Sequence, residues 1–138
     1  MAVRMEISRI LIRESDDWHV VELREVDGER TFQIVIGIHE AAAIERRILG
    51  QVPPRPQTHE LLSAVIDKLG YRLQRVVVND LQHDQSGRGT FFARLYLRNG
   101  KGEIDIDARP SDALALGAAT DVPIFVEEHV LDEASRTA

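Results

Sequence analysis

The chain has 138 residues, no cysteine, and 23 Asp and Glu against 17 Lys and Arg, for a formal net charge of −6. That length fits one domain, and the missing thiols exclude disulfide frameworks, zinc–thiolate centres, iron–sulfur clusters and cysteine nucleophiles. An acidic chain has to meet any polyanion through a local basic patch or a metal ion, because its surface as a whole repels one.

In chain order, Met5–Arg13 and Asp17–Glu25 read as strands joined by the polar Glu14-Ser15-Asp16. Asp27-Gly28 marks a turn into Thr31–Gly37, where Phe32, Ile34 and Ile36 alternate onto one face. A helix runs from His39 to Leu49, with Ala41, Ile44 and Ile48 at helical spacing and Gly50 as its stop. Pro53-Pro54-Arg55-Pro56 is a stiff extended connector. The second helix starts at Thr58 as N-cap and carries Leu61, Leu62, Val65, Ile66 and Leu69 before Gly70. Tyr71–Leu81 and Thr90–Arg98 are strands across the loop Gln82–Gly89, and Asn99-Gly100 turns the chain into Glu103–Asp107. Pro110 opens a third helix, almost wholly apolar from Ala113 to Ala119. Such a helix is buried on most sides or sits at a subunit interface. Val122–Val126 is a last short strand, and Glu128–Ala134 a final helical turn or two. The order predicts an α+β fold, one compact domain over 1–138 with its core at about 5–133, a mixed or antiparallel sheet and three main helices.

The longest stretch without Asp, Glu, Lys or Arg runs from Thr31 to His39, far short of the roughly 20 residues of a membrane span. The start of the chain has no apolar signal-peptide core, so a cytoplasmic protein with no membrane partner is expected.

Several polar residues stand where chemistry is possible. Period two puts Glu103, Asp105 and Asp107 on one face of their strand, with Arg109 at the same parity. Such a face is either solvated or an oxygen-rich site for magnesium or manganese. Asp112 falls in the first turn of helix three, in line with Leu116 and Ala119. His59 falls in the first turn of helix two, in line with Leu62, Ile66 and Leu69. A helix N-terminus disfavours imidazolium there, so the ring is suited to accept a proton or ligate a metal. Glu40 repeats the pattern in helix one, ahead of Ile44 and Ile48. Helix capping explains each of the three singly; a common pocket would require their helix ends to converge. Phe92, Arg94, Tyr96 and Arg98 share a face and form an Arg/aromatic ribbon that suits single-stranded nucleic acid, or salt bridges to the acidic strand beside it. P-loop, dinucleotide-fold, nucleophile-elbow and His-Glu-x-x-His patterns are absent from the sequence.

The run Ile106-Asp107-Ala108-Arg109-Pro110-Ser111-Asp112-Ala113-Leu114-Ala115-Leu116 resembles the signature of the bifunctional nuclease domain family. Arg55-Pro56-Gln57-Thr58-His59-Glu60-Leu61-Leu62 is similar to its second motif, and Ile36-Gly37-Ile38-His39-Glu40-Ala41 to its first. Val122-Pro123-Ile124-Phe125-Val126 matches its usual ending. The chain departs at Gly117, where a larger helix former is usual, and at Thr120-Asp121-Val122, where Thr-Gly-Ala is common. The resemblance implies a compact α+β domain that tends to self-associate, with DNase and RNase activity described for some members. The apolar third helix, which needs burial on most sides, predicts a homodimer or larger.

Two classes of function follow. One is a metal-assisted phosphodiesterase, with Asp105, Asp107 and Asp112 as ligands for magnesium or manganese, His59 as general base or further ligand, Glu40 in support and Arg109 clamping the phosphate of DNA or RNA. The other is a non-catalytic oligomeric module for a small ligand or partner protein, in which these side chains only cap helices.

Overall fold

Alternation of apolar side chains builds the sheet. The computed structural model describes residues 1–12 and 18–136. Along it run β1 (Ala2–Leu11), β2 (His19–Glu25), β3 (Thr31–Ile36), α1 (Ile38–Ile48), α2 (Thr58–Lys68), β4 (Arg72–His83), β5 (Gly89–Asn99), β6 (Gly102–Ala108), α3 (Pro110–Thr120), β7 (Ile124–Glu127) and α4 (Glu128–Arg136). The predicted strand ends at Arg13 and Asp17, and the connection between them, lie outside the described residues. In β3, Phe32, Ile34 and Ile36 are buried while Val35 is exposed, as period two requires.

Two antiparallel meanders, β1–β2–β3 and β4–β5–β6, are joined by the four-residue β7. It pairs antiparallel with β1 and parallel with β4, giving one mixed sheet in the order β3-β2-β1-β7-β4-β5-β6. The sheet curls. Four strands separate β3 from β5, yet the rings of Phe32 and Phe91 lie 5.6 Å apart between centroids.

The helices cover the concave face. Ala113 and Leu116 of α3 pack with Leu73, Val76, Leu95 and Leu97, while Leu114 and Ala115 join Ile44 of α1 and Val130 and Leu131 of α4 in a second cluster. Ala113, Leu114, Ala115 and Leu116 are each at most 1% exposed. The apolar third helix is therefore buried by its own chain, between α1, α2 and the sheet, and calls for no subunit partner. Gly117 continues the tight fit, since a Cβ there would lie 3.2 Å from Val76 Cγ2. Among the apolar residues left outside, Leu61, Leu62 and Val65 of α2 and Leu69 just beyond it are exposed along one face.

Two expectations are corrected in detail. The N-cap of α2 is Gln57, not Thr58, and its N–H donates to Glu60 Oε1 at 2.9 Å, because the helix already begins at Thr58. The C-terminal segment is a nine-residue fourth helix, docked by the buried Val130, Leu131 and Ala134. Arg30 ties it down, donating to Glu25 Oε1 at 2.7 Å and to Glu128 Oε1 at 2.8 Å.

Asp121 ends α3 in the left-handed region, at φ 58°, where glycine has no steric penalty. Asp121→Gly is expected to stabilise the fold by roughly 0.5–1 kcal/mol, read as a higher urea midpoint at unchanged slope. A lower midpoint would mean that the Asp121 side chain contributes more than its backbone strain costs.

Candidate functional site

Three helices begin at one place. Gly37 precedes α1 as an extended N-cap, which sets Glu40 in the first turn. Thr58 and His59 open α2. Pro110 takes the first position of α3, where a missing N–H costs nothing, so Arg109 becomes the N-cap residue and Asp112 falls in the first turn. The side chains then meet. His59 Nε2 and Asp112 Oδ1 are 3.2 Å apart. Arg109 donates from Nε to Asp112 Oδ2 at 2.8 Å and from Nη2 to Glu40 Oε1 at 3.4 Å. Glu40, Arg109, Asp112 and His59 thus form a continuous polar chain across α1, α3 and α2. Glycine at 37 leaves room for it, because a Cβ there would stand 3.0 Å from Glu40 Oε1.

The chain is layered in depth. The side chains of His59 and Glu40 are 8% and 10% exposed, that of Asp112 36%, and that of Arg109 69%. Burial pushes the Asp112 carboxyl up, but hydrogen bonds from Arg109 and His59 outweigh it and hold the group below the ordinary aspartate range. The hydrogen bond to Asp112 and its negative charge push Arg109 up in turn. Both carboxylates also lie at helix N-termini, where the dipoles favour anions.

Asp105 and Asp107 are elsewhere. In β6 they stand opposite Tyr96 and Arg94 of β5, while Ala93, Leu95 and Leu97 of the same strand face α3. Parity therefore turns both aspartates to the sheet face away from Asp112, and the three carboxylates do not assemble. On that face they meet cations from their own sheet. Arg94 lies 3.6 Å from Asp105, Arg75 lies 3.0 Å from Glu103, and the Arg75 guanidinium sits 4.0 Å from the Tyr96 ring centroid. The Arg/aromatic ribbon is thus largely neutralised by its neighbour strand. Among the described residues, no three His, Asp or Glu side chains are grouped to hold a metal. Near Asp112 the guanidinium of Arg109 bridges the two carboxylates where a cation would have to sit, so these donors as arranged do not fit magnesium or manganese.

Sequence reasoning missed a groove beside this cluster. It holds about 520 Å³ and is lined by Trp18, Val35, Gly37, Phe91, Arg109 and Ser111, among others. No signal in the sequence marked it, because its walls come from strands far apart along the chain. The remaining described histidines with ion-pair partners, His83 with Glu133 and His129 with Asp80, fasten α4 to β4. Among the described residues no helix is long and apolar enough to cross a membrane.

Comparison with known proteins agrees with the motifs. The profile of the bifunctional nuclease domain matches residues 21–138. An uncharacterized protein of Mycobacterium tuberculosis is 42% identical over 125 residues, covering 91% of this chain and 71% of its own. A bifunctional nuclease of Oryza sativa subsp. japonica is 25% identical over 123 residues, 86% of this chain and 36% of the rice protein. A bifunctional nuclease of Arabidopsis thaliana is 32% identical over 79 residues, 55% of this chain and 22% of its own. The chain spans about a third or less of these plant nucleases. It belongs to the bifunctional nuclease domain family.

Asp112 yields a test of the network. A carboxylate depressed in the folded state contributes stability above the unfolded aspartate value of about 4, and the contribution is lost as pH falls through the lower folded value. Arg109→Gln removes a lowering partner, so the Asp112 carboxyl carbon should titrate at higher pH by NMR, and the variant should have less stability to lose below pH 4. An unmoved Asp112 titration would disconnect Arg109 from it.

Proposed function

From membership of this family and the cluster at the three helix starts, we propose that the chain hydrolyses phosphodiester bonds of DNA and RNA at Glu40, His59, Arg109 and Asp112. The observation that supports it is the four-residue polar chain itself, which leads from a buried histidine to an exposed guanidinium. Arg109, the outermost member, binds the scissile phosphate and offsets the charge that grows on its oxygens. The N-terminal ends of α1 and α3 add partial positive charge at the same place. Asp112, more exposed than His59, accepts a hydrogen bond from the attacking water and turns its oxygen toward phosphorus, and the water's proton passes to solvent. The bridging P–O bond breaks, and the leaving oxygen takes a proton from solvent. His59 holds Asp112 in place from below as a positioning residue, and Glu40 orients the other arm of Arg109. No step runs through a metal ion, because Arg109 occupies the place between the carboxylates.

A clamp that only ties three helices together would use the same contacts, so turnover and stability have to be read side by side. The proposed reading expects His59→Ala and Asp112→Asn each to slow cleavage of single-stranded DNA and RNA about a hundredfold, or about 2.7 kcal/mol of transition-state free energy. The double variant should be little slower than either single one, as for residues serving one step. Cleavage should persist in chelator; complete loss there would mean that substrate brings a cation to the site, and the roles would change. Variants that melt early yet cut at the wild-type rate when folded would leave these residues as a clamp and the nuclease reading without a site. A wild type that cuts nothing would leave the non-catalytic module.

The same reading includes self-association through α2, whose exposed Leu61, Leu62, Val65 and Leu69 form an apolar stripe suited to a second copy. Light scattering should report at least twice the 15.5 kDa chain mass, and Val65→Glu should halve it. A wild-type particle of one chain mass at micromolar concentration would remove the dimer.

A further inference from the structure

The groove beside Arg109 lies between two strand edges. Among the described residues β3 is the last strand on its side of the sheet, and one edge of Thr31–Ile36 has no strand partner there. On the far side, β6 pairs with β5 only from Ala93 to Asn99, so among the described residues the edge of Gly89–Phe92 has no strand beside it. Curling of the sheet brings these two edges to opposite walls of one channel, lined from β3 by Val35 and from β5 by Phe91. Trp18 stands at one side, 41% exposed, and Phe91 is partly buried against the core. None of the described lining residues is acidic, and the one charged group among them is Arg109. A polyanion would meet the channel at the exposed side of the Arg109 guanidinium, whose side chain is 69% exposed. The channel is also continuous with the proposed active site, because Arg109 both lines the channel and bridges Glu40 and Asp112.

We infer that this channel binds single-stranded nucleic acid, with bases against Trp18 and Phe91 and the backbone delivered to Arg109. The inference rests on the nuclease reading and adds to it the strandedness of the substrate. An unpaired strand exposes the ring faces that an aromatic wall can stack, whereas a duplex keeps them in its own stack. A path walled by two strand edges also favours a single extended chain over a double helix, whose grooves are read by elements projecting into them. Phosphates then need only one strong partner in the channel, because stacking supplies the rest of the affinity.

The single tryptophan makes the test direct. A dodecathymidylate with a phosphorothioate backbone, titrated into the full chain, should quench Trp18 emission to saturation, and a blunt duplex of the same length should not. Trp18→Ala should weaken oligonucleotide binding, followed by anisotropy, roughly tenfold. Val35→Glu changes an exposed wall residue outside the polar cluster and keeps the fluorophore. It should weaken binding several-fold and raise KM for single-stranded DNA while leaving kcat unchanged, whereas Val35→Lys should tighten binding. If the oligonucleotide is bound and cut with no change in Trp18 emission, and Val35→Glu binds it like wild type, the channel inference fails while the nuclease reading stands. Quenching by an extended uncharged peptide but not by the oligonucleotide would make the channel a strand-addition site for protein and overturn the inference. Neither binding nor cutting of any nucleic acid would overturn both.

Discussion

Bringing three helix N-termini together places three partial positive charges side by side, and the site depends on how that repulsion is offset. Glu40 and Asp112 answer it from the first turns of α1 and α3, each at a position where an anion is favoured by its own helix. Two carboxylates so close would repel in turn, and Arg109 lies between them with one hydrogen bond to each. Charge alternates from Glu40 through Arg109 to Asp112. The depressed Asp112 carboxyl is the electrostatic trace of that arrangement. Small residues make room for it, with Gly37 under the Glu40 carboxylate and Gly117 letting α3 settle against Val76.

The sheet provides the geometry on which these helix starts converge. Because β7 pairs with both meanders, seven strands act as one curved surface, and α3 can lie buried in its hollow with α1, α2 and α4 around it. The curl that closes Phe32 onto Phe91 also sets the outer edge of β3 across from the stretch of β5 that β6 does not reach. One bend of the sheet thus produces both the core contact and the channel beside Arg109. The convex face answers its own charges separately, as Arg75, Arg94 and Arg98 of β4 and β5 meet Glu103 and Asp105 of β6. Acidic and basic side chains pair there within the sheet itself.

Local pattern in the sequence determined most of the elements. Period-two alternation placed β3, β5 and β6, helical spacing placed α1 and α2, and Pro110 marked the start of α3, since each depends only on side chains a few residues apart. The same spacing put Glu40, His59 and Asp112 in first helical turns. What it did not decide was which turns and faces meet. Parity showed that Asp105 and Asp107 share a face but not that this face is turned away from Asp112; that follows from pairing β6 with β5 and burying Leu95 and Leu97 under α3. The insertion of β7 between two meanders, the curl of the sheet, the burial of α3 by its own chain and the position of Arg109 between two acids are contacts between residues far apart in sequence. They are selected by the burial of one shared core, which no window of neighbouring residues contains, and so tertiary structure alone decided them.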